Sequence, residues 1–217
     1  MRGGDGRDGG SRDDLVAAIL ASGVGDDGVL AAVRAVPRAD FVPHSAVRVA
    51  YLDHPVPIPH DQVTTQPSLV ARMVEALGLA GSEHVLEIGT GLGWQTALLA
   101  SLARSVWSVE RWPDLAEAAR GNLARHGVRN AEVVVGDGSL GLPEHAPYDA
   151  VTVSAAFPSV PRPLAAQLRE GGRLVQPIGP GGAEDVVLFE RLGTRLVRRR
   201  VLTRAHFVRL HGRHGFP

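Results

Sequence analysis

The sequence predicts one α/β domain built on a doubly wound, mainly parallel β-sheet, and two observations support this fold class. Apolar runs of strand length alternate with amphipathic helical patterns over most of the 217 residues, as in consecutive β-α-β units. The last two apolar runs, residues 186–192 and 195–202, have no helix between them. They predict antiparallel strands at the C-terminal edge of the sheet.

The elements are predicted in order from hydrophobic periodicity and from the residues that start and stop helices. Acidic residues precede two short N-terminal helices, and Pro67 and Gly78 bound a longer one. The predicted helices are residues 13–21, 26–35, 67–77, 94–103, 113–126 and 161–169. The predicted strands are residues 84–88, 106–110, 132–135, 148–154, 173–178, 186–192 and 195–202.

The N-terminal third differs from this pattern. Residues 1–10 are polar and glycine-rich, which predicts a disordered leader without the apolar segment of a signal peptide. Residues 37–67 are rich in proline and lack periodicity, so we expect an ordered loop, and a loop of this length is usually functional. The predicted organisation is a helical and active-site loop subdomain over residues 11–66 and a main domain over residues 67–217.

Composition excludes several functions. The chain has no cysteine, which excludes disulfides, thiolate zinc sites and cysteine nucleophiles, and it has no lysine. The formal net charge is zero, which disfavours general nucleic-acid binding, and no apolar run could span a bilayer. We therefore expect a cytoplasmic protein, monomeric, with no nucleic-acid or membrane partner and no metal site.

The strongest local signal is a glycine loop between a predicted strand and a predicted helix. It reads Glu87-Ile88-Gly89-Thr90-Gly91-Leu92-Gly93. Glycines there allow a tight turn and the close approach of a ligand at the carboxyl ends of the strands. A dinucleotide fingerprint would need a third glycine where Trp94 stands, and a phosphate-binding P-loop would need lysine. The spacing is that of an S-adenosylmethionine loop, although a glycine turn that serves only packing is an alternative.

Two carboxylates strengthen this interpretation. Glu110 ends the second predicted strand, where it could accept hydrogen bonds from both ribose hydroxyls. Asp137 ends the third within Gly136-Asp137-Gly138, where it could accept from an adenine amine while Gly138 admits the ring. Either residue alone could be a helix cap or a solvated turn residue. The three features together, at the ends of three successive strands, predict S-adenosylmethionine as the cofactor, with Glu87, Gly89, Thr90 and Gly91 in the binding loop.

The motifs that the sequence lacks limit which kind of atom could accept the methyl group. Enzymes that methylate amines often carry Asn/Asp-Pro-Pro-aromatic after the fourth strand, where this chain has Ser154-Ala155-Ala156-Phe157-Pro158. A carboxylate is already ionised at pH 7 and needs no general base. Alignment and exclusion of water are sufficient, and the loop before Pro67 offers the hydroxyls of Thr64 and Thr65.

From about Val29 onward the chain resembles the protein-L-isoaspartate O-methyltransferase family. The resemblance rests on short motifs distributed along the chain, most specifically Val85 to Gly91 followed by Gln95-Thr96-Ala97. The other matching stretches are Val36-Pro37-Arg38, Phe41-Val42-Pro43, Gln66-Pro67, Ser108-Val109-Glu110, Gly136-Asp137-Gly138, Tyr148-Asp149-Ala150, Gly171 to Val175 and Phe207-Val208. The resemblance implies a seven-stranded S-adenosylmethionine-dependent methyltransferase sheet with an N-terminal helical subdomain.

The resemblance also implies which residues form the active-site loop. The family loop Gly-Gln-Thr-Ile-Ser-Gln-Pro covers cofactor and substrate, and its serine is credited with catalysis. Here Asp61-Gln62-Val63-Thr64-Thr65-Gln66-Pro67 occupies that place. Thr65 is thereby implied as the catalytic residue and Val63 and Thr64 as cofactor contacts, while an alternative role for Thr65 is the N-cap of the following helix.

Departures from the family fall on the substrate side. Pro59 and Asp61 replace glycines, Val63 replaces a threonine, and Arg209 replaces the proline of Arg-Phe-Val-Pro-Leu. Three functions follow as hypotheses. The first is methylation of the carboxylate of L-isoaspartyl residues in proteins or peptides, which repairs them through a succinimide. The second is methylation of aspartate in one ribosomal peptide natural product. The third is a non-catalytic binding module that retains the fold.

Overall fold

The structure is a computed structural model and describes residues 10–217, so the predicted leader, except Gly10, lies outside the described residues. The helices are α1 Arg12–Ala21, α2 Asp27–Ala35, α3 Pro67–Leu77, α4 Trp94–Leu102, α5 Pro113–Arg125 and α6 Arg162–Gln167. The strands are β1 Val56–Ile58, β2 Gln62–Thr64, β3 His84–Ile88, β4 Ser105–Glu110, β5 Ala131–Val135, β6 Tyr148–Val153, β7 Leu168–Ile178, β8 Glu184–Leu192 and β9 Arg195–Ala205. Every helix and strand predicted within this range is therefore present. The ends shift by at most three residues, except that β7 begins five residues before the predicted strand and includes residues 168 and 169, which were predicted as helix.

The main sheet has seven strands in the order β5-β4-β3-β6-β7-β8-β9. The strands from β5 to β7 pair in parallel, and β8 and β9 add antiparallel strands at the edge, as the sequence predicts. Strand β3 lies between β4 and β6, so the chain leaves it in opposite directions along the sheet. This is the topological switch point, where α/β sheets bind ligands outside the carboxyl ends of their strands.

Two apolar cores cover the faces of this sheet. The larger core packs α1 to α5 against one face, with Leu15, Met73 and Leu98 almost fully buried. The smaller core packs α6 and the C-terminal segment against the other face, around Leu164 and Leu174. The N-terminal helices thus extend the larger core beside α3 and α4.

Residues 37–66 contain more regular structure than the predicted loop. Two short 3-10 helices, Arg38–Phe41 and His44–Val49, precede a β-hairpin in which β1 pairs antiparallel with β2. Strands of three residues that contain proline carry too little periodicity to be recognised from sequence. At the hairpin tip, His60 and Asp61 have φ values of 65° and 55°. Asp61 thus adopts the left-handed conformation, which aspartate tolerates better than most residues.

None of the helices between residues 10 and 217 has the length and apolar character needed to cross a bilayer.

Candidate functional site

A cleft with about 1000 Å³ of empty space, including its mouth, opens at the carboxyl ends of β3, β4 and β6. The β1–β2 hairpin and the C-terminal segment border it. The structure brings all but two of the predicted site residues into the lining of this central cleft: Val63, Thr64, Thr65, Gly89, Thr90, Gly91, Glu110 and Gly138. Glu87 and Asp137 are the two that do not line it.

The floor of the cleft is shaped by glycines. Gly89 and Gly91 have φ values of 94° and 56°, a conformation that side chains with a Cβ rarely adopt. A Cβ on Gly138 would lie 2.4 Å from Cγ2 of Ile88, so only glycine fits between β3 and the loop after β5. The glycines therefore let the backbone turn tightly at residues 89 and 91 and pack closely against Ile88 at residue 138.

Glu110 is the carboxylate of the cleft. It is only 5% exposed, and its Oε2 accepts from the backbone N–H of Gly91 at 2.8 Å while Oε1 accepts from that of Trp112 at 3.0 Å. These bonds orient the carboxylate toward the glycine loop and leave further lone pairs, because each carboxylate oxygen can accept twice. Glu110 is thus placed to accept hydrogen bonds from a sugar.

Glu87 lies beneath the glycine loop rather than in the cleft. Its fully buried carboxylate accepts from Gln95 Nε2 at 2.9 Å, Thr96 Oγ1 at 2.5 Å and Ser108 Oγ at 2.6 Å. Burial raises the pKa of Glu87 to about 7, and these hydrogen bonds oppose the rise. The Ser108 hydroxyl also bonds Thr90 Oγ1 at 2.5 Å, which connects Glu87 to the loop. The geometry therefore fits a residue that positions the loop, and a direct contact with a ligand in the cleft is not available to it.

Asp137 is held by the C-terminal segment. Its Oδ2 accepts from the backbone N–H of Arg213 at 2.7 Å, and Oδ1 accepts from the backbone and hydroxyl of Ser139. Partial burial alone would raise the pKa of Asp137, but these bonds lower it below its ordinary value. The carboxylate thus caps the short 3-10 helix Gly138–Leu140. A helix cap was the alternative role that the sequence analysis gave for this residue. The predicted contact with adenine would need this arrangement to change.

The two neighbouring threonines differ in their hydrogen bonding. Thr64 Oγ1 accepts from the Arg38 guanidinium at 2.9 Å and from the backbone N–H of Val56 at 3.0 Å. Thr65 has no side-chain hydrogen bond to any residue between 10 and 217. The Thr65 hydroxyl is thus available to a ligand, whereas the Thr64 hydroxyl supports the hairpin.

Thr65 does not cap α3. The N-cap residue is Gln66, which makes no side-chain cap bond, and Asp53 accepts instead from the backbone N–H of Ser68 at 2.8 Å. The same carboxylate accepts from Gln66 Nε2 at 2.8 Å. The N-cap alternative for Thr65 is therefore wrong, because a distant aspartate satisfies the end of the helix.

Arg38 is a residue whose role the sequence did not reveal. Its side chain is 1% exposed and donates to the backbone carbonyls of Ala50, Leu52 and His54, as well as to Thr64. Burial lowers the pKa of Arg38 to about 10, and the Asp53 carboxylate partly offsets this. The only signal in the sequence was an arginine in the apolar Val36-Pro37-Arg38 motif.

The tip of the hairpin reaches across the cleft to the β4–α5 turn. The His60 ring stacks on Trp112 with centroids 3.9 Å apart, and His60 Nε2 lies 2.9 Å from the Asp114 carboxylate. His60 is thus engaged by Trp112 and Asp114. Asp61, whose charge would repel an acceptor carboxylate, is exposed and does not line the cleft.

The cleft fits S-adenosylmethionine. The glycine loop lines its floor at the carboxyl ends of the strands, and the Glu110 carboxylate keeps lone pairs that can accept from a sugar. A second buried acceptor, Gln95 Oε1, belongs to a cleft-lining residue and has no partner among residues 10–217. In the same part of the chain, no three His, Cys, Asp or Glu side chains are grouped to hold a metal ion.

The fold, the glycine loop and the carboxylate at the end of the adjacent strand together define an S-adenosylmethionine-dependent methyltransferase. Residues 10–215 match the family model described as protein-L-isoaspartate(D-aspartate) O-methyltransferase. The chain belongs to this family, and S-adenosylmethionine is its cofactor.

Individual relatives agree with the family model. A protein-L-isoaspartate O-methyltransferase of Methanoculleus marisnigri is 56% identical over 81% of this chain and 80% of its own length. Protein-L-isoaspartate O-methyltransferase 2 of Pelobacter propionicus is 46% identical over 91% of this chain and 88% of its own.

Solved structures show the same fold. A protein-L-isoaspartate O-methyltransferase superposes with a TM-score of 0.83 at 31% identity, covering 94% of this chain and 67% of its own. A putative family member from Plasmodium falciparum, solved with S-adenosyl-L-homocysteine, has a TM-score of 0.79 at 20% identity, covering 93% of this chain and 99% of its own. The latter comparison supports the fold alone.

Proposed function

We propose that this enzyme methylates the free α-carboxylate of L-isoaspartyl residues in proteins or peptides. The observation that carries the proposal is the pairing, in one cleft, of a buried carboxylate, Glu110, with a threonine, Thr65, whose hydroxyl has no hydrogen bond to any of residues 10–217. The first belongs to the cofactor side and the second to the acceptor side. Family membership supports the same substrate class.

The reaction requires little acid–base catalysis by the protein. When bound, S-adenosylmethionine supplies a methyl group on a sulfonium sulfur, from which a carboxylate oxygen takes it as the C–S electron pair returns to sulfur. The acceptor carboxylate is ionised at neutral pH, so no proton has to be removed. The work of the protein is therefore alignment and exclusion of water.

The described residues divide this work among them. Glu110 would hold the ribose hydroxyls of the cofactor, and the glycine loop, positioned from below by Glu87, forms the floor. The Thr65 hydroxyl donates a hydrogen bond to the acceptor carboxylate or to the cofactor. The β1–β2 hairpin, closed by His60 on Trp112, shields the reacting atoms from water.

Repair follows from the chemistry of the ester. The methoxide of a methyl ester is a better leaving group than the oxide of a carboxylate. The neighbouring backbone nitrogen therefore attacks the ester carbonyl carbon, the C–OCH3 bond breaks, and the amide proton leaves with methoxide as methanol. The resulting succinimide is opened by water, and part of the product is a normal aspartyl linkage. No further group on the enzyme is needed for these steps.

The experiment is transfer of labelled methyl from S-adenosylmethionine to a synthetic isoaspartyl peptide, beside the same peptide with normal aspartate. We expect ester formation on the isoaspartyl peptide only. Transfer to the aspartyl peptide alone would favour the peptide-tailoring function. Cofactor binding without transfer to either peptide would favour a binding module.

We also propose that residues 11–66 act as the helical and loop subdomain of a cytoplasmic monomer that works without nucleic acid or membrane. One chain supplies both sides of the cleft, which supports a monomer. Light scattering after size-exclusion chromatography measures the mass; a dimer at micromolar concentration would contradict this proposal.

A further inference from the structure

Arg209 lines the cleft beside the end of β6, away from Glu110, at what is called here the acceptor end. Its neighbours Val208 and Leu210 bond the backbone of Ala156 at 2.8 Å each, which fixes the segment beside the end of β6. Glu110 ends β4, two strands away, or about 10 Å at the usual strand spacing. With the ribose at Glu110, Arg209 lies at the opposite side of the cleft, where the peptide substrate would bind.

The Arg209 side chain is supported on two sides. Its guanidinium lies 5.1 Å from the centre of the Phe216 ring, a cation–π contact. On the other side, a Cβ on Gly181 would come within 3.0 Å of Arg209 Nε, so the glycine there makes room for the arginine. The guanidinium is thus held in place although the residue is exposed.

Apart from its contact with the Phe216 ring, the positive charge of Arg209 has no carboxylate partner among the residues that the structure describes. Its guanidinium makes no ion pair or hydrogen bond with any of residues 10–217. The carboxylate that lines the cleft, Glu110, is directed to Gly91 and Trp112. The other lining arginines are Arg38, which is buried in its carbonyl contacts, and Arg111, which lies 5.0 Å from the Trp112 ring beside Glu110. The acceptor end therefore presents an unpaired cation to an incoming peptide.

We propose that Arg209 is a specificity-determining residue that binds a second carboxylate of the peptide, on an acidic residue next to the isoaspartyl residue. This inference rests on the proposed function. Pairing with the acceptor carboxylate itself would reduce its nucleophilicity, whereas pairing with a neighbouring carboxylate strengthens binding without that cost. The enzyme thus prefers isoaspartyl sites in acidic sequences.

The test compares two isoaspartyl peptides, one with Glu on both sides of the isoaspartyl residue and one with Gln. Steady-state methylation gives KM and kcat for the wild type, Arg209→Gln, Arg209→Lys and, as a charge-matched control, Arg200→Gln. Arg200 is an exposed β9 residue outside the cleft, without an ion pair among residues 10–217. Binding of S-adenosylhomocysteine is measured for each variant.

For the wild type and Arg200→Gln we expect KM to be about threefold to fivefold lower for the Glu peptide, as for an exposed ion pair, with a smaller ratio at high salt. Arg209→Gln abolishes the ratio and Arg209→Lys retains part of it. An unchanged ratio in Arg209→Gln would overturn the inference and leave the proposed function standing. The inference would also be overturned if Arg209→Gln lowered the affinity for S-adenosylhomocysteine and left the KM ratio unchanged, because Arg209 would then contact the cofactor. Wild type that methylates neither peptide would overturn both.

Discussion

Glu110 and Gly91 are joined by a hydrogen bond of 2.8 Å from the Gly91 backbone N–H to Glu110 Oε2. This bond links the end of β4 to the glycine loop after β3, so the loop and the carboxylate form one rigid corner of the cleft. A ligand that enters this corner meets a preorganised acceptor, which lowers the cost of ordering the site on binding.

We predict that Glu110→Ala weakens S-adenosylhomocysteine binding by about 1.5–3 kcal/mol, the usual value for hydrogen bonds to a charged group. Titration calorimetry measures this, and circular dichroism verifies the fold. Glu117→Ala, which removes an exposed carboxylate from α5, should bind as the wild type does. Equal affinity in a folded Glu110→Ala protein would remove Glu110 from the site.

Thr65 should affect catalysis rather than the fold. Its hydroxyl has no internal partner among residues 10–217, so Thr65→Val removes no structural bond, and kcat/KM for an isoaspartyl peptide should fall about tenfold or more. Thr65→Ser keeps the hydroxyl and should retain most of the activity. If Thr65→Val were as active as Thr65→Ser, the hydroxyl would have no part in the reaction.

Arg38 should contribute mainly to stability. Arg38→Met leaves the buried carbonyl of Ala50 and the partly buried carbonyl of His54 without this donor and removes one of the two bonds to Thr64 Oγ1, which should cost about 3 kcal/mol of unfolding free energy. Urea denaturation measures this. Arg34→Met, the same change at an exposed position of α2, is the control and should have little effect. Comparable losses in the two variants would show that the carbonyl contacts of Arg38 do not stabilise the hairpin.

Glu87 should make stability depend on pH. Its folded pKa of about 7 lies above the ordinary value of 4.5, so the unfolded chain releases this proton first. The stability of the wild type relative to Glu87→Gln is therefore greatest below pH 4.5 and falls by about 3 kcal/mol as the pH rises through 7. Denaturation at several pH values measures the difference, and a flat difference would mean that Glu87 has an ordinary pKa.

The sequence predicted the sheet and the glycine loop well because both depend on local patterns. Alternating apolar runs specify β3 to β9, and glycines at 89 and 91 are demanded by backbone conformation. The N-terminal hairpin was not predicted, since its two short strands are stabilised by a distant buried group, Arg38.

The sequence also could not predict the direction in which the side chains at the strand ends point. Glu87 and Glu110 both looked like cofactor ligands, yet strand register places Glu87 under the loop and Glu110 in the cleft. Asp137 follows its strand closely, as predicted, but its carboxylate accepts hydrogen bonds from Ser139 and from Arg213, which is 76 positions away in the chain. Contacts of such separation leave no local signal in a single sequence.

The most direct measurement is a crystal structure of the protein with S-adenosylhomocysteine. We predict that the ribose hydroxyls lie within hydrogen-bond distance of the Glu110 carboxylate, that the nucleoside rests on Gly89, Gly91 and Gly138, and that the sulfur faces Thr65. A ligand bound outside the central cleft, or one whose ribose points away from Glu110, would contradict the account.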